Sequence, residues 1–272
     1  MALTGGSRGL PARPATGARR AADPDARRLA ASAEPDLPGG ADSADSNARS
    51  SAPERAGDHA AGANVLRLFR RESPVTVLGP GRRAVIWVQG CPFACRGCIV
   101  PESWAADTGD RVPIGELVDW ISEQPGIEGI TLSGGEPMEQ AGPLAELIDR
   151  VRRAADLGVV CYTGHTLETL RKAGRPDRLA LLDRCDLLID GVYIESRHAD
   201  LRWRGSANQR LIPLTDRYRA EIERIRAGED RTAGMEFFVD DRGAFGFAGV
   251  PHRAGFRAEF EARLAGSGVK PG

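Results

Sequence analysis

The stretch Gly90-Cys91-Pro92-Phe93-Ala94-Cys95-Arg96-Gly97-Cys98 places three cysteines on one short loop, with the spacing C-x3-C-x2-C. Thiolates are soft ligands that favour zinc, copper(I) or iron–sulfur clusters. A structural zinc site takes four protein ligands, usually as two separate pairs. Three thiolates suit a [4Fe–4S] cubane better, because each holds one iron and the fourth iron stays open to bind a small molecule. The stretch therefore predicts an iron–sulfur site with one open iron.

Two other interpretations of the cysteine loop remain at this point. One is a zinc site completed by a distant ligand, for which His165, His198 and His252 are the candidates. The other is a cluster that only transfers electrons. The remaining cysteines, Cys161 and Cys185, lie in apolar segments and are typical of core residues.

The segments around the loop alternate between strand and helix patterns. The predicted strands are residues 75–78, 84–89, 127–132, 158–162 and 187–190. The predicted helices are one that begins at Pro113, one over about 140–156, a helical stretch within 167–185 and one over about 217–226. A hairpin is predicted to pair residues 236–240 with 245–247, and a short last helix follows it and ends near Leu264. Strands alternating with helices favour right-handed βαβ units and a parallel sheet. We therefore expect an α/β fold of five or six β/α units, too few for a closed eightfold barrel.

The first 62 residues differ in composition from the rest of the 272-residue chain. They contain no Phe, Trp, Tyr, Ile or Val, and their eight arginines are balanced by eight acidic residues. Such a segment cannot bury enough apolar surface to offset its ordering entropy. We expect residues 1–62 to be a disordered extension and residues 63–268 to form the functional domain.

Charge and cysteine content exclude several classes of protein. The net charge of −1 gives no electrostatic reason to expect nucleic acid or anionic lipid as a partner. No apolar run is long enough to cross a bilayer. Five cysteines, with three of them clustered, do not resemble a secreted disulfide framework. We therefore expect a cytoplasmic protein that binds neither nucleic acid nor membrane.

A second motif, Gly134-Gly135-Glu136-Pro137, follows the predicted strand 127–132. Ligands bind at the carboxyl ends of strands in parallel α/β sheets. The two glycines leave room for a ligand to approach the backbone, and Pro137 fixes the turn. When the motif is taken alone, an ordinary strand-to-helix turn, in which Gly-Gly is common, is the better explanation.

Together, the cysteine loop and this turn resemble the radical S-adenosylmethionine (SAM) superfamily. The similarity is greatest to the short branch that contains the activating enzymes of anaerobic ribonucleotide reductase. Gly97, Trp104, the run Tyr162-Thr163-Gly164-His165-Thr166 and the run Trp203-Arg204-Gly205-Ser206-Ala207-Asn208-Gln209-Arg210 all resemble segments of that branch. Val100 and Pro101 depart from it, as does a C-terminal addition of about 55 residues.

The resemblance implies a partial (β/α)5–6 barrel with a mostly parallel sheet and a [4Fe–4S] cluster held by Cys91, Cys95 and Cys98. It implies that SAM binds at the same site, where one electron from the cluster cleaves it to a 5′-deoxyadenosyl radical. The implied cofactor-binding residues are Gly97, Cys98, Ile99, Gly134, Gly135, Glu136 and Pro137. The implied partners are a glycyl-radical enzyme, from which the radical abstracts hydrogen, and a flavodoxin-type electron donor.

Two other functions remain open from the sequence. The chain could be a radical SAM enzyme that modifies a small molecule or peptide in secondary metabolism. It could also be a non-catalytic module that binds zinc or a cluster and contacts other proteins; such a module would not cleave SAM.

Overall fold

The computed structural model of the protein describes residues 64–239 and 245–266. The disorder expected for residues 1–62 concerns a segment outside the described residues. The same holds for the turn of the predicted C-terminal hairpin at residues 241–243.

The described chain forms eleven strands and six α-helices within these two ranges. In chain order they are β1 (Val65–Val75), β2 (Arg83–Val88), β3 (Asp110–Pro113), α1 (Ile114–Ser122), β4 (Gly129–Gly134), α2 (Ala141–Arg152), β5 (Gly158–Thr163), α3 (Leu167–Ala173), α4 (Pro176–Leu182), β6 (Leu187–Asp190), β7 (His198–Leu201), β8 (Arg204–Ser206), β9 (Arg210–Pro213), α5 (Arg219–Arg224), β10 (Gly234–Val239), β11 (Phe245–Val250) and α6 (Phe256–Gly266).

One mixed sheet organises the described part of the chain, with strand order β3-β1-β2-β4-β5-β6-β9. Its centre is parallel: β2 pairs with β4, β4 with β5, and β5 with β6. Its flanks are antiparallel, since β1 pairs with β2 and β3 on one side and β9 pairs with β6 on the other. The α/β class with parallel central strands is confirmed. The carboxyl ends of β2, β4, β5 and β6 consequently meet at one edge of the sheet.

The central strands are buried because helices pack over them. All six residues of β2 and all four of β6 are buried. Helix α1 buries Ile114, Leu117 and Ile121, the stripe expected from its spacing. Helix α2 buries a similar stripe, made of Ala141, Leu144, Ala145, Leu147, Ile148 and Val151. Cys161 and Cys185 are buried in the same core, as predicted.

Several predicted boundaries were wrong. The first strand is 65–75 and not 75–78, and it is followed by the loop 76–82. The predicted helical stretch 167–185 is two helices, because Gly174 ends α3 with a left-handed backbone (φ +62°) and Pro176 opens α4. Helix α2 ends at Arg152, four residues before the predicted end. The predicted loop 191–210 contains the short antiparallel pair β7–β8.

The C-terminal segment forms a hairpin followed by a helix, as predicted. Strands β10 and β11 pair with Phe237 opposite Phe247. Helix α6 sets Phe260 against the rings of Phe237, Phe245 and Phe247, with centroids 5.4–6.0 Å apart. None of the helices in the described ranges is both long and apolar enough to span a membrane.

Candidate active site

The cysteine loop leaves the sheet directly after β2, and backbone hydrogen bonds fix its base. Gly90 N donates to Ser103 O at 2.8 Å, and Cys91 N donates to Trp104 O at 3.0 Å. Gly90 has φ +97°, a left-handed conformation that favours glycine. The start of the loop, at Gly90 and Cys91, is therefore bonded to Ser103 and Trp104, which follow the last cysteine. The segment that carries the cysteines is closed at its base.

The three predicted ligands share one environment. Cys91, Cys95 and Cys98 are free and half-buried, and all three line the same cavity. Burial raises the pKa of the Cys91 and Cys95 thiols. Thiols bind metals as thiolates, so metal binding at this loop must release protons.

The cavity has a volume of about 380 Å³ and lies at the carboxyl edge of the parallel strands. It is lined by Trp87 near the end of β2, by residues 133–136 and 162–164 at the ends of β4 and β5, and by residues 191–193 after β6. This is the edge at which parallel α/β sheets bind ligands. The cavity therefore lies at the edge of the sheet where the sequence motifs predicted the cofactor.

Six of the seven predicted cofactor-binding residues line this cavity. They are Gly97, Cys98, Ile99, Gly134, Gly135 and Glu136. The seventh, Pro137, does not line it. Pro137 is buried and begins the 3-10 turn Pro137–Gln140, so it shapes the backbone behind the cavity.

Gly134, the last residue of β4, and Gly135, which follows it, are required by close contacts with the protein's own backbone. Gly134 has φ +95°, and a Cβ there would lie 2.6 Å from Trp87 Cα. A Cβ on Gly135 would lie 2.3 Å from Gly90 O, beside the first cysteine. The sequence interpretation explained these glycines by the approach of a ligand or by an ordinary strand-to-helix turn. The structure adds a tighter constraint, which is contact with β2 and with the base of the cysteine loop.

Glu136 joins the ends of two parallel strands. Its side chain is 1% exposed. Its Oε1 accepts hydrogen bonds from Met138 N at 2.9 Å and Thr163 Oγ1 at 2.8 Å, and its Oε2 accepts one from Gly164 N at 2.8 Å. Burial raises the pKa of this carboxyl to about 7, although the three donors act in the opposite direction.

Comparison with known proteins connects this site to a family. A family model described as a 4Fe-4S single cluster domain matches residues 77–212, which is half of the chain. The anaerobic ribonucleoside-triphosphate reductase-activating protein of Vibrio cholerae serotype O1 is 36% identical over 159 residues, covering 54% of this chain and 98% of that protein. The protein of the same name from Enterobacteria phage T4 is 33% identical over 146 residues, covering 52% of this chain and 89% of that protein. This chain belongs to that family of activating proteins.

The resemblance stated from the sequence motifs is thereby confirmed. Among solved structures, QueE from Escherichia coli aligns over 76% of this chain and 92% of that chain, with a TM-score of 0.37 and 12% identity. That similarity is too distant to inform the fold.

The three cysteines fit the cluster of the activating-protein family. All three cysteines lie within residues 77–212, which match the 4Fe-4S single cluster domain. In a cubane, three thiolates each hold one iron and leave the fourth iron open, whereas a structural zinc ion takes four protein ligands. The family match therefore favours a cluster over zinc completed by His165, His198 or His252.

The segment 203–210, which resembles the activating proteins, has a clear structural role. Asn208 Nδ2 donates to Val192 O at 2.8 Å, and Gln209 Nε2 donates to Gly191 O at 3.0 Å. Arg210 Nε donates to Asp190 Oδ1 at 2.9 Å, and Asp190 is fully buried. These bonds hold the loop that follows β6, so the segment builds one wall of the cavity.

The sequence motifs missed most of the aromatic wall of the cavity. Phe93, Tyr193, Phe247 and Phe256 line it, and none of them was predicted as a site residue. Phe93 could have been suspected, since it lies between two cysteines. Phe247 and Phe256 could not, because only folding brings the C-terminal segment to the cysteine loop.

Proposed function

We propose that this chain is a radical SAM enzyme that activates a glycyl-radical enzyme, such as an anaerobic ribonucleoside-triphosphate reductase. The observation that carries the proposal is that three thiols of one loop and the turn 134–136 face the same cavity. The names of the relatives supply the acceptor class, since they activate anaerobic ribonucleoside-triphosphate reductase.

Cys91, Cys95 and Cys98 would hold the [4Fe–4S] cluster. When bound, the cluster and SAM together supply a 5′-deoxyadenosyl radical by reductive cleavage of the sulfonium carbon–sulfur bond. The protein's part is ligation, orientation and exclusion of water.

The turn 134–136 and the loop segment 97–99 would hold SAM between them. Glu136 Oε2 accepts one hydrogen bond from within the described residues, and a carboxylate oxygen accepts two. It therefore has acceptor capacity for the amino group of SAM. Gly97, Cys98 and Ile99 would contact SAM from the cluster side, and Pro137 would fix the turn from behind.

The cavity walls are suited to a radical because they are mainly apolar. Trp87, Phe93, Tyr193, Phe247 and Phe256 surround the space beside the cysteines. Apolar walls exclude water and leave few polar groups near the reacting atoms. A glycine Cα–H of the partner would have to enter this space to lose its hydrogen.

The finer features of the sequence interpretation belong to this proposal. They are a partial (β/α)5–6 barrel, a functional domain over residues 63–268, a dispensable extension over residues 1–62, a flavodoxin-type electron donor and a cytoplasmic location. The four parallel strands and the α/β class support the barrel.

A second acceptor class is favoured by one observation. The C-terminal segment that walls the cavity lies outside the region matched by the family model, which ends at residue 212. An added wall could shape the cavity for a small molecule or a peptide instead of a folded partner. That alternative keeps the same cluster and the same cleavage of SAM.

The test is anaerobic reconstitution with iron and sulfide, followed by dithionite, SAM and a candidate glycyl-radical enzyme such as an anaerobic ribonucleoside-triphosphate reductase. We expect 5′-deoxyadenosine and a glycyl radical signal in the partner. SAM cleavage without radical transfer to any encoded partner would replace the acceptor with a small molecule or peptide. Iron-loaded protein that does not cleave SAM would contradict the proposed chemistry.

A further inference from the structure

The C-terminal segment, residues 245–266, is an integral wall of the cavity. Phe247, Val250, Phe256 and Arg257 from this segment line the same space as the three cysteines. The segment lies beyond residue 212, where the match to the family model ends. Its contacts are therefore additional to those that the family match covers.

This wall is anchored to the central sheet. Ala248 is 3% exposed and packs in one apolar cluster with Val75 and Trp87. Arg70 donates from its guanidinium to Phe247 O at 2.7 Å. Helix α6 follows the hairpin, and Phe260 packs against Phe247 with ring centroids 6.0 Å apart. Helix α6 is thus held in a fixed place relative to β1 and β2.

From this fixed helix, Arg257 reaches the far end of the cysteine loop. One guanidinium nitrogen donates to Ile99 O at 2.7 Å and to Glu102 Oε2 at 2.8 Å, and the other pairs with Glu102 Oε1. Ile99 directly follows Cys98. The arginine side chain is 20% exposed, so these bonds are partly shielded from water. A planar guanidinium can make all these bonds at once, whereas an ammonium is a single point charge.

The same contact also involves the start of the loop. Glu102 belongs to the turn Pro101–Ser103, and Ser103 O accepts the hydrogen bond from Gly90 N at 2.8 Å. Arg257 therefore joins the segment after Cys98 to the turn on which the base of the loop rests.

We propose that Arg257 is a positioning residue for the cysteine loop, which it fixes to the wall formed by the C-terminal segment. The inference rests on the proposed function, because it takes Cys91, Cys95 and Cys98 as the cluster ligands. A partly exposed ion pair contributes little to global stability. We therefore expect loss of this ion pair to make the cysteine loop less ordered and to shorten the lifetime of its cluster, with little change in global stability.

The first test uses the full metal-free chain and trypsin. Arg96 lies in the middle of the loop, and its side chain is 93% exposed. We expect Arg257→Ala to speed cleavage after Arg96 by about fivefold, measured by mass spectrometry, with little change in the unfolding temperature. Arg257→Lys should fall between the variant and wild type. The matched control is Glu259→Gln, on the same helix as Arg257, which breaks the exposed pair with Arg253 and leaves the loop contact intact.

The second test uses the reconstituted protein. Arg257→Ala should take up iron but lose its cluster in air about fivefold faster than wild type, whereas Glu259→Gln should match wild type. Glu102→Gln provides a second variant should Arg257→Ala fold poorly. Equal trypsin cleavage and equal cluster lifetimes in wild type and the Arg257 variants would overturn the inference and leave the proposed function standing. Wild-type protein that takes up no iron would overturn the ligand assignment instead, and Arg96 cleavage would still report on the contact.

Discussion

Gly135 packs closely against Gly90 O, so the backbone of the turn after β4 and the backbone at the start of the cysteine loop cannot move independently. Backbone bonds reinforce the contact, since Glu136 N donates to Gly90 O at 2.8 Å and Gly135 N donates to Val88 O at 2.8 Å. At the scale of single residues, the turn 134–136 and the cysteine loop are therefore in direct contact. A substitution in the turn is expected to displace the cysteine loop as well.

The first prediction follows from this contact. Gly135→Ala places a Cβ 2.3 Å from Gly90 O, so the backbone before Cys91 must move. We expect lower iron content after reconstitution as well as weaker SAM binding, measured by iron analysis and by equilibrium binding. The control is Gly142→Ala in helix α2, where an added Cβ meets nothing within 4 Å. Normal iron content with weakened SAM binding in Gly135→Ala would show that the turn and the cysteine loop are independent.

A second prediction concerns Glu136 and pH. Because burial raises its pKa from 4.5 to about 7, the folded state binds more protons than the unfolded state between these pH values. The free energy of unfolding must then fall as pH rises through this window, by at most about 1.4 kcal/mol per pH unit. Glu136→Gln lacks the titrating group. Urea unfolding at several pH values should show a shallower fall in Glu136→Gln than in wild type, and parallel curves would contradict the assignment.

At the scale of elements, Arg83 ties together the amino ends of the parallel strands. It is fully buried at the start of β2. Its guanidinium donates to Thr131 Oγ1 at 3.0 Å in β4, to Gly158 O at 2.8 Å in β5 and to Tyr218 Oη at 2.8 Å before α5. Burial lowers the pKa of Arg83, and the hydrogen bonds offset the cost of burying its charge. This end of the sheet is opposite the cavity.

The third prediction tests whether Arg83 stabilises the fold without affecting the cysteine site. Arg83→Met leaves buried acceptors in β4 and β5 unpaired, and we expect it to lower the free energy of unfolding by about 2–4 kcal/mol. Tyr218→Phe removes a single partner and should cost about 1 kcal/mol. Denaturant unfolding gives both values. Iron content per folded chain should stay unchanged, and its loss in Arg83→Met would show that Arg83 acts on the cysteine loop.

The elements that could be predicted from the sequence are those with a strong local pattern. The stripe of Ile114, Leu117 and Ile121 identified α1, and the apolar run of β2 identified the strand that leads to the cysteines. Strand β1 was missed because its arginines and glutamate obscure the alternation of Leu66 and Leu68. A single glycine at position 174 ends α3 inside a stretch whose pattern resembles one helix.

At the scale of the whole molecule, the site depends on segments that are far apart in sequence. The cysteines and the turn after β4 could be located from the sequence, because in each motif the residues that carry the chemistry lie close together in the chain. The motifs could not locate Arg257, which meets Ile99 across 158 residues. The reasons for glycine at positions 134 and 135 were also hidden, because they lie in backbone contacts made only after β2 and β4 pair.

The most direct test of the central claim is the metal content of the anaerobically reconstituted protein. We expect about four irons per chain, a brown colour that bleaches in air, and an electron paramagnetic resonance signal that changes when SAM is added. Cys91→Ala, Cys95→Ala and Cys98→Ala should each lose the cluster, whereas Cys161→Ala and Cys185→Ala, which alter buried core thiols, should retain it. Stoichiometric zinc with no uptake of iron, or a cluster that survives loss of Cys91, Cys95 or Cys98, would contradict the account.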